Sequence, residues 1–399
     1  MDINRTILVL GLAGFTVMAD NWVVSPILPA IAGDLGQEVT RLALLITFYM
    51  IPFGLFQLVF GPLADRYGKK QVILGAMLFF TIATALCAVA FGFTDLLIYR
   101  ALTGVFAASV MPVSLALIAD LVPLTQRQKA IGTFMGISFL GQGLSMAIGG
   151  ATAYFLSWRG LFALYSVLAA LSTMLLFFTF RHYQSTGSPS PGTSFLAPYS
   201  LLLKKSVSLR IYLVVLLEGI LIIGSFSYLG AYIQKMYQFN YLYIGLIMTA
   251  FGIAAVVGGR ISGKLAARCG QKGLVVCGLT LAAAGNIALY FQGDKLWVLI
   301  LAVTMLGLGF MLAHSTLLTI ATEFAAQARG AAMSLVAFCF MGGGGVGTAM
   351  GGRVIDATGF SLFYAYYGLV LLLLAGLAAF CVSTAGGAQM QPENKMTNQ

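Results

Sequence analysis

Long apolar stretches separated by short polar connections dominate the sequence. A helix needs about 20 mostly apolar residues to cross the hydrocarbon core of a bilayer. A transmembrane β-barrel would show stretches of about ten residues with alternating apolar and polar side chains, which this sequence lacks. Because lipid accommodates only helices or closed barrels, the pattern predicts an all-α membrane protein with twelve transmembrane helices, at 6–30, 42–62, 71–92, 96–119, 130–154, 160–181, 210–233, 241–262, 273–292, 296–321, 330–352 and 361–382.

The longest polar interruption, 182–208, is rich in Ser, Gly and Pro and is typical of a flexible linker. It divides the predicted spans into two six-helix bundles, 1–181 and 209–383. Within the linker, 195–203 is apolar enough to form a short helix on the membrane surface, with disorder as the alternative. The polar end of the chain, 384–399, predicts a disordered tail.

The composition agrees with burial in lipid. Hydrophobic residues make up 60% of the 399 residues and charged residues only 9%, whereas a soluble domain carries about a quarter charged residues. The net charge of +10 is not arranged in a basic stripe with interleaved aromatic residues, so nucleic acid is not expected as a partner. With two histidines, five scattered cysteines and no P-loop pattern, we expect no enzyme activity, no cofactor and no metal site.

The basic residues predict the orientation in the membrane. If the N-terminus is cytoplasmic, sixteen of the 22 Lys and Arg side chains lie on the cytoplasmic side and six on the other. Cytoplasmic loops of membrane proteins are enriched in these residues. Both termini, including the tail 384–399, are therefore expected in the cytoplasm.

Two distant segments of the chain repeat in one register. The segment 61–70 reads GPLADRYGKK and 263–272 reads GKLAARCGQK, so six of ten positions match at an offset of 202. The same offset places four glycines of the fifth span on four of the eleventh: Gly141, Gly143, Gly149 and Gly150 on Gly343, Gly345, Gly351 and Gly352. Two motifs in one register predict a duplicated six-helix unit.

The segment 61–70 resembles the cytoplasmic loop motif of the major facilitator superfamily, G-x-L-A-D-R-x-G-R/K-R/K. Arg100 with Gly104 resembles the second motif of that family. Glycines of the fifth span resemble the Gly-rich motif of its antiporters: Gly132, Gly141, Gly149 and Gly150. The chain is most similar to the bacterial twelve-span drug:proton antiporters, although Ser145-Met146 stands where their motif has Gly-Pro.

The resemblance implies two six-helix bundles around a central cavity lined by spans 1, 4, 7 and 10. Substrate and proton sites are then expected near the membrane midplane, with the two halves rocking about them. The partners implied are a small-molecule substrate, protons and the lipid bilayer, and we expect a monomer in a bacterial inner membrane.

The loop motif is a candidate gate. Asp65 and Arg66 can bridge to neighbouring helix ends, with Asp120 as the expected partner and Glu323 at the similar place in the second half. Ion pairs of this kind stabilise one state of a rocking motion; the alternative is that the loops carry basic residues for orientation alone. The candidate gating residues are Gly61, Asp65, Arg66, Gly68, Lys69, Lys70, Asp120, Gly263, Arg268, Gly270 and Glu323. Gly61 and Gly263 are expected to allow close helix approach, and Gly68 and Gly270 a tight turn.

Small residues let helix backbones approach closely, and they also permit bending. Packing between helices is the favoured interpretation of the glycines in the fifth and eleventh spans, Gly132, Gly141, Gly149, Gly150, Gly343, Gly351 and Gly352. Whether 342–345 also acts as a hinge is left open.

Charges inside the membrane are the strongest functional signal, because an ionisable group at depth costs about 2.5–3.5 kcal/mol on insertion scales. Asp20 in the first span and Arg100 in the fourth are expected at similar depth, where pairing would reduce the cost of burial. We interpret Asp20 as the proton-carrying carboxylate. A purely structural salt bridge is the alternative.

The second half offers Glu218 and His314 as further coupling candidates. Arg210 is a rival partner that would place Glu218 at the interface, and a backbone carbonyl is the alternative partner for His314. Other polar or aromatic residues inside the spans suit a lipophilic or weakly cationic substrate: Asn21, Tyr49, Gln57, Gln142, Tyr228 and Tyr232.

These residues predict a proton-coupled exporter of lipophilic or cationic compounds. A transporter of an endogenous metabolite, such as a sugar, siderophore or lipid, is the alternative that the Ser145-Met146 departure keeps open. A membrane sensor that does not transport is the remote alternative.

Overall fold

The computed structural model describes residues 3–183, 197–325 and 329–387. In these ranges the backbone forms helices and short connections, without a β-strand. The elements in chain order are α1 (Ile3–Trp22), α2 (Val24–Leu35), α3 (Val39–Leu42), α4 (Leu44–Tyr67), α5 (Lys69–Ala88), α6 (Phe93–Ala107), α7 (Val110–Leu121), α8 (Leu124–Phe155), α9 (Trp158–Phe180), α10 (Ala197–Leu203), α11 (Ser206–Glu218), a π-helix (Gly219–Ile223), α12 (Gly224–Ser227), α13 (Leu229–Tyr237), α14 (Tyr241–Gln292), α15 (Leu296–Phe324) and α16 (Arg329–Gly387).

Ten helical segments of the described ranges are long and apolar enough to cross a membrane. Two of them, α14 and α16, contain a glycine whose backbone angles are not helical: Gly270 with φ 73° and Gly359 with φ 81°. Both glycines fall between stretches that the hydrophobic pattern predicts as separate spans. The apolar runs therefore predict the helices, while the number of spans depends on what the chain does at these two glycines.

The chain reverses direction at both breaks. Gly258 and Gly278 lie on opposite sides of Gly270, yet both pack against the same stretch of α15. Across the break in α16, the Tyr367 hydroxyl donates a 2.7 Å hydrogen bond to the carbonyl of Gly347. Since the chain folds back at each glycine, the parts before and after it run in opposite directions.

The helical bundle has two ends. The motif end carries the start of α1 and the segments 61–70 and 263–272. The far end carries the connections that follow α2 and α13. There the Tyr237 hydroxyl donates a 2.8 Å hydrogen bond to the carbonyl of Gly293.

The N half (α1–α9) and the C half (α11–α16) touch from the middle of the bundle to the far end. The Ser25 hydroxyl donates to the Phe226 carbonyl at 2.8 Å. The Thr47 hydroxyl donates to the Gly345 carbonyl at 2.9 Å. Backbone acceptors in one half thus satisfy polar side chains of the other, which fixes the relative position of the halves at this level.

The segment between the halves is partly described. The residues 197–203 form the helix α10, and the Tyr199 hydroxyl donates to the Leu58 carbonyl of α4 at 3.1 Å. The rest of the predicted linker from 184 to 196 lies outside the described residues, as do 388–399 of the predicted tail. The helix α16 continues to Gly387, about one turn beyond the predicted start of that tail.

Candidate functional site

Asp20 of α1 and Arg100 of α6 form an ion pair inside the N half. The Arg100 Nη1 atom donates to both carboxylate oxygens of Asp20, at 2.9 and 3.1 Å. Neither side chain is more than 1% exposed. The structure therefore brings together the two charges that the sequence expects to pair, while the role of Asp20 as a proton carrier stays a prediction.

Aromatic rings of the N half surround this pair. The guanidinium carbon of Arg100 lies 4.2 Å from the ring centre of Tyr49 and 5.6 Å from that of Phe162. A cation over an aromatic face is stabilised by the ring quadrupole. Because Tyr49 and Phe162 belong to the N half, the pair is enclosed within that half in this conformation.

Glu218 of α11 and His314 of α15 form the corresponding pair of the C half. The His314 Nδ1 atom lies 3.1 Å from Glu218 Oε2, so His314, and not the rival Arg210, occupies this position. Glu218 is fully buried, whereas His314 keeps 18% of its side chain exposed. The pair thus consists of a fully buried acid and a partly exposed partner.

One oxygen of the buried acid is unsatisfied. Glu218 Oε1 is buried and accepts no hydrogen bond from the described residues. Leaving a buried acceptor without a partner costs about 1–3 kcal/mol, and more for a charged group. The cost is smallest when this carboxyl carries a proton or meets a cation.

The helix geometry changes directly after Glu218, where α11 passes into the π-helix Gly219–Ile223. Single turns of π-helix are frequent at functional sites. This turn packs backbone to backbone against α16: a Cβ atom at Gly219 would overlap the carbonyl oxygen of Phe340, and one at Gly347 that of Ile220. Glycine packing therefore fixes the helix next to the buried acid.

An aromatic layer lies beside the Glu218–His314 pair and extends from it toward the far end. It consists of Trp22, Phe226, Phe251, Phe310 and Phe340, each at most 3% exposed. The ring centres of His314 and Phe340 are 4.2 Å apart, and those of Phe310 and Phe340 are 5.3 Å apart. Phe310 precedes His314 by one turn in α15, a helix that starts at the far end. Phe310 therefore lies on the far-end side of His314, whereas Phe340 lies at the level of His314.

Trp22 is the member of this layer that comes from the N half. Its ring centre lies 5.3 Å from Phe226, 5.7 Å from Phe251 and 6.2 Å from Phe310. The layer thus joins the two halves, and its ring packing depends on their relative position.

The sequence pattern does not predict this layer as part of a site. A signal existed, since Trp22 follows Asp20 by two residues and Phe310 stands one helical turn before His314. In a chain with 12% aromatic residues, such spacing alone does not distinguish a functional ring from one that packs the core.

The other polar candidates of the N half are buried. The Asn21 amide contacts the sulfur of Met341 in the C half at 3.9 Å, and its Oδ1 atom is buried without a partner among the described residues. Gln57 and Gln142 are 8% and 7% exposed. Asn21 thus contacts the C half directly.

Tyr228 and Tyr232, predicted to line the cavity, form hydrogen bonds inside the C half. The Tyr228 hydroxyl donates to the carbonyl of Thr348 at 2.7 Å. The Tyr232 hydroxyl donates to the carbonyl of Leu289 at 3.2 Å. In this conformation both side chains pack helices of one half together.

At the motif end, the partner of Asp120 is Lys69, at 2.6 Å, where the sequence favoured Asp65 and Arg66. The Arg66 guanidinium instead lies over the Tyr67 ring, 5.4 Å from its centre. Both Asp65 and Arg66 are exposed. Lys69 starts α5 directly after the turn, which directs its side chain to the end of α7.

The remaining polar residues of the two motifs have different contacts. Lys70 donates to the carbonyl of Tyr183 at 2.8 Å. In the C half, Gln271 donates to Glu323 at 2.9 Å, while Arg268 is exposed. The position that carries Lys69 in the N half thus carries an uncharged amide in the C half.

Two of the four motif glycines serve the turn, and the other two do not pack closely. Gly68 and Gly270 have φ of 94° and 73°, which requires glycine and agrees with the predicted tight turn. A Cβ atom at Gly61 or Gly263 would meet nothing within 4 Å, so the expected close helix approach at these two positions is wrong for this conformation.

The Gly-rich helices pack closely at equivalent places in the two halves. A Cβ atom at Gly141 would overlap the carbonyl oxygen of Phe15, and one at Gly343 that of Leu216. Gly150 packs against the other half, because a Cβ atom there would overlap the carbonyl oxygen of Tyr241.

Other glycines of the predicted set differ in their surroundings. Gly149 packs on the Val23 side chain, Gly351 on the ring of Tyr228 and Gly352 on the hydroxyl of Tyr228. A Cβ atom at Gly132 would meet nothing within 4 Å, so Gly132 is not a close-packing position in this conformation.

Comparison with known proteins decides the family. The family model of the Major Facilitator Superfamily matches residues 10–323 and 229–395. The chain belongs to this superfamily. It is accordingly a multi-pass membrane transporter and not an enzyme.

Two relatives show how similar this superfamily member is to named transporters. A probable sugar efflux transporter of Helicobacter pylori (strain ATCC 700392 / 26695) is 26% identical over 371 residues, 92% of this chain and 93% of the relative. Multidrug resistance protein 3 of Bacillus subtilis (strain 168) is 31% identical over 167 residues, 42% of this chain and 32% of the relative.

A solved structure supports the fold. The crystal structure of a bacterial homolog to the human lysosomal transporter Spinster, in an inward-facing and unoccupied conformation, matches with a TM-score of 0.77. The match covers 98% of this chain and 99% of the other at 17% identity. At that identity the likeness shows the fold alone.

Proposed function

We propose that this transporter exports lipophilic or cationic small molecules in exchange for protons, by alternating access. The observation that carries the proposal is Glu218, a fully buried carboxyl with one unsatisfied oxygen beside the partly exposed His314. Such a group is least costly when it is protonated or next to a cation. A proton and a cationic substrate therefore compete for it.

The aromatic layer supports the lipophilic part of the proposal. The rings of Phe310 and Phe340 lie next to His314, so a substrate that reaches Glu218 meets apolar, polarisable surface. Aromatic faces also favour a cation by about 0.5–2 kcal/mol.

Asp20 is proposed as a second proton carrier. Arg100 neutralises it in the present conformation, and rocking of the halves would bring the pair to water. On this proposal the C half exchanges its proton in the conformation described here, and the N half in the opposite one.

The proposal includes an architecture and a gate. Reversal at Gly270 and Gly359 supports twelve spans, in two six-helix halves related by the offset of 202. Both termini would lie in the cytoplasm of a bacterial cell, with the monomer in the inner membrane. The Lys69–Asp120 contact would close with one state of the motion and open with the other.

Transport of an endogenous metabolite is the second candidate function. It is favoured by the sugar efflux relative, which matches 92% of this chain, whereas the multidrug resistance relative matches 42%. The Ser145-Met146 sequence, at the place where the antiporter motif has Gly-Pro, points the same way.

Uptake into proteoliposomes with an imposed proton gradient tests both candidates. The panel should contain lipophilic cations and sugars, with Glu218→Gln as the test variant and the exposed Glu38→Gln as its control. Gradient-dependent flux of cations that Glu218→Gln loses and Glu38→Gln keeps supports the proposal. Flux of sugars alone favours the second candidate, and the absence of gradient-dependent flux contradicts both and leaves a sensor.

A further inference from the structure

The break in the first membrane segment lies at the aromatic layer. The helix α1 ends at Trp22 and α2 begins at Val24, so one residue interrupts the helix. On one side of the break lies Asp20, inside the N half. On the other side lies Ser25, whose hydroxyl donates to the C half at 2.8 Å.

Trp22 fills the contact between the halves at this level. Its side chain is 3% exposed and packs on rings of three different C-half segments. Phe226, Phe251 and Phe310 are likewise 3% exposed or less. A layer of packed rings leaves no polar partners for water, which needs about two to four of them to be stably bound.

The position of this layer decides from which end His314 is reached. His314 keeps 18% of its side chain exposed, and the Phe310 ring, one turn toward the far end, lies 5.3 Å from its own ring. The halves also touch between this layer and the far end, where Gly150 meets Tyr241. A path from the far end to His314 would therefore have to pass both the aromatic layer and this contact.

We propose that Trp22 is a movable seal, which closes the far-end access to the Glu218–His314 pair in this conformation and leaves the C-half rings when the halves rock. Because Trp22 is attached to the N half, separation of the halves at the far end withdraws its ring from Phe226, Phe251 and Phe310. The seal and the opening of the far end are then one movement.

The seal has a consequence for coupling, which rests on the proposed function. If the pair met water from both ends at once, protons would cross without substrate. Trp22 is thus a positioning residue, since it controls access to the proton site without contacting Glu218.

Thiol accessibility tests the seal independently of transport. His314→Cys is prepared in the full chain with the five native cysteines replaced by alanine, and a membrane-impermeant thiol reagent is applied to vesicles of either orientation. With Trp22 present, we expect much faster modification from one face of the membrane than from the other, because the far end opens only when the halves rock. Adding Trp22→Ala should make the two rates similar, whereas the control Trp297→Ala, at an exposed position, should keep the difference.

Proton leak provides the second readout. In proteoliposomes without substrate, Trp22→Ala should raise the leak about tenfold, the change expected when the closed arrangement loses about 1.4 kcal/mol relative to the open one. Trp22→Phe keeps a ring in place, and its leak should lie between those of the wild type and Trp22→Ala. This variant preserves the test should the alanine variant fail to fold.

If Trp22→Ala keeps both the wild-type difference between the two faces and the wild-type leak, the seal is overturned. Where only Trp22→Phe folds, the same two results in that variant overturn it. If the wild-type chain shows no gradient-driven flux but Trp22→Ala admits the reagent at similar rates from both faces, the proposed function fails while the seal stands. The two failures are therefore distinguishable.

Discussion

The two halves of the transporter hold their buried charges in different ways. In the N half, both carboxylate oxygens of Asp20 accept from Arg100, and both side chains are at most 1% exposed. In the C half, one oxygen of Glu218 has no partner among the described residues, and His314 is 18% exposed. Both oxygens of the N-half acid are satisfied in an enclosed pair, which stabilises one arrangement. The C-half acid keeps an unsatisfied oxygen beside a partly exposed partner, an arrangement suited to exchange a proton.

The motif end repeats this difference in another form. The N half joins Lys69 to Asp120 by an ion pair, and the C half joins Gln271 to Glu323 by a hydrogen bond of an uncharged amide. The two loops therefore make similar contacts that differ in charge.

Removal of Arg100 should have the largest effect on stability. Arg100→Ala leaves the buried Asp20 charge without compensation, and breaking such a pair costs about 3–5 kcal/mol. Unfolding in detergent measures the loss. The double variant Arg100→Ala with Asp20→Asn should recover part of it, and a single variant as stable as the wild type would contradict the enclosed pair.

Removal of the second acid should act on transport and not on stability. Glu218→Gln loses the proton site, and we expect gradient-driven flux to fall about 100-fold, the lower range for a positioned proton-transfer group.

Asp20→Asn should also abolish gradient-driven flux while leaving membrane insertion intact. Flux assays on both variants sharpen the comparison, since retained flux in either one removes that half from coupling.

A smaller effect is expected at the contact between the halves. Gly150→Ala would place a Cβ atom against the Tyr241 carbonyl, and overpacking of this kind costs about 1–3 kcal/mol. The variant should shift the population toward separation at the far end, which spin-label distances across that end can measure. Gly132→Ala is the matched control, because a Cβ atom there meets nothing within 4 Å. Equal distances in both variants would contradict the far-end contact.

The smallest effect belongs to the motif-end contacts. Lys69→Gln turns the N-half contact into the type found in the C half, and Gln271→Lys does the reverse. Exposed ion pairs contribute about 0.2–1 kcal/mol, so the two variants should shift the conformational equilibrium slightly and in opposite senses. Spin-label distances across the motif end measure this, and shifts of the same sign would show that charge is not the relevant difference.

Much of the fold follows from the sequence, because lipid imposes simple requirements. Helices must be long and apolar, and the chain must turn where the pattern is interrupted, as at Gly270 and Gly359. The Asp20–Arg100 pairing follows from the same physics, since two opposite charges at one depth in lipid are less costly together.

The contact partners of individual side chains are harder to predict from the sequence. Arg66 and Lys69 both stand in one short loop, and the direction of each side chain at the turn decides which of them reaches Asp120. The aromatic layer is harder still. In a chain that is apolar on nearly every face, hydrophobic periodicity does not separate Trp22, which meets the other half, from the exposed Trp297.

Proton release on substrate binding tests the central role of Glu218 most directly. A transported compound is added to the detergent-solubilised transporter in weakly buffered solution, and a pH indicator reports the protons set free. The account predicts release from the wild type and from the control Glu38→Gln, and none from Glu218→Gln at a substrate concentration that saturates it. Equal release from Glu218→Gln and the wild type would contradict it.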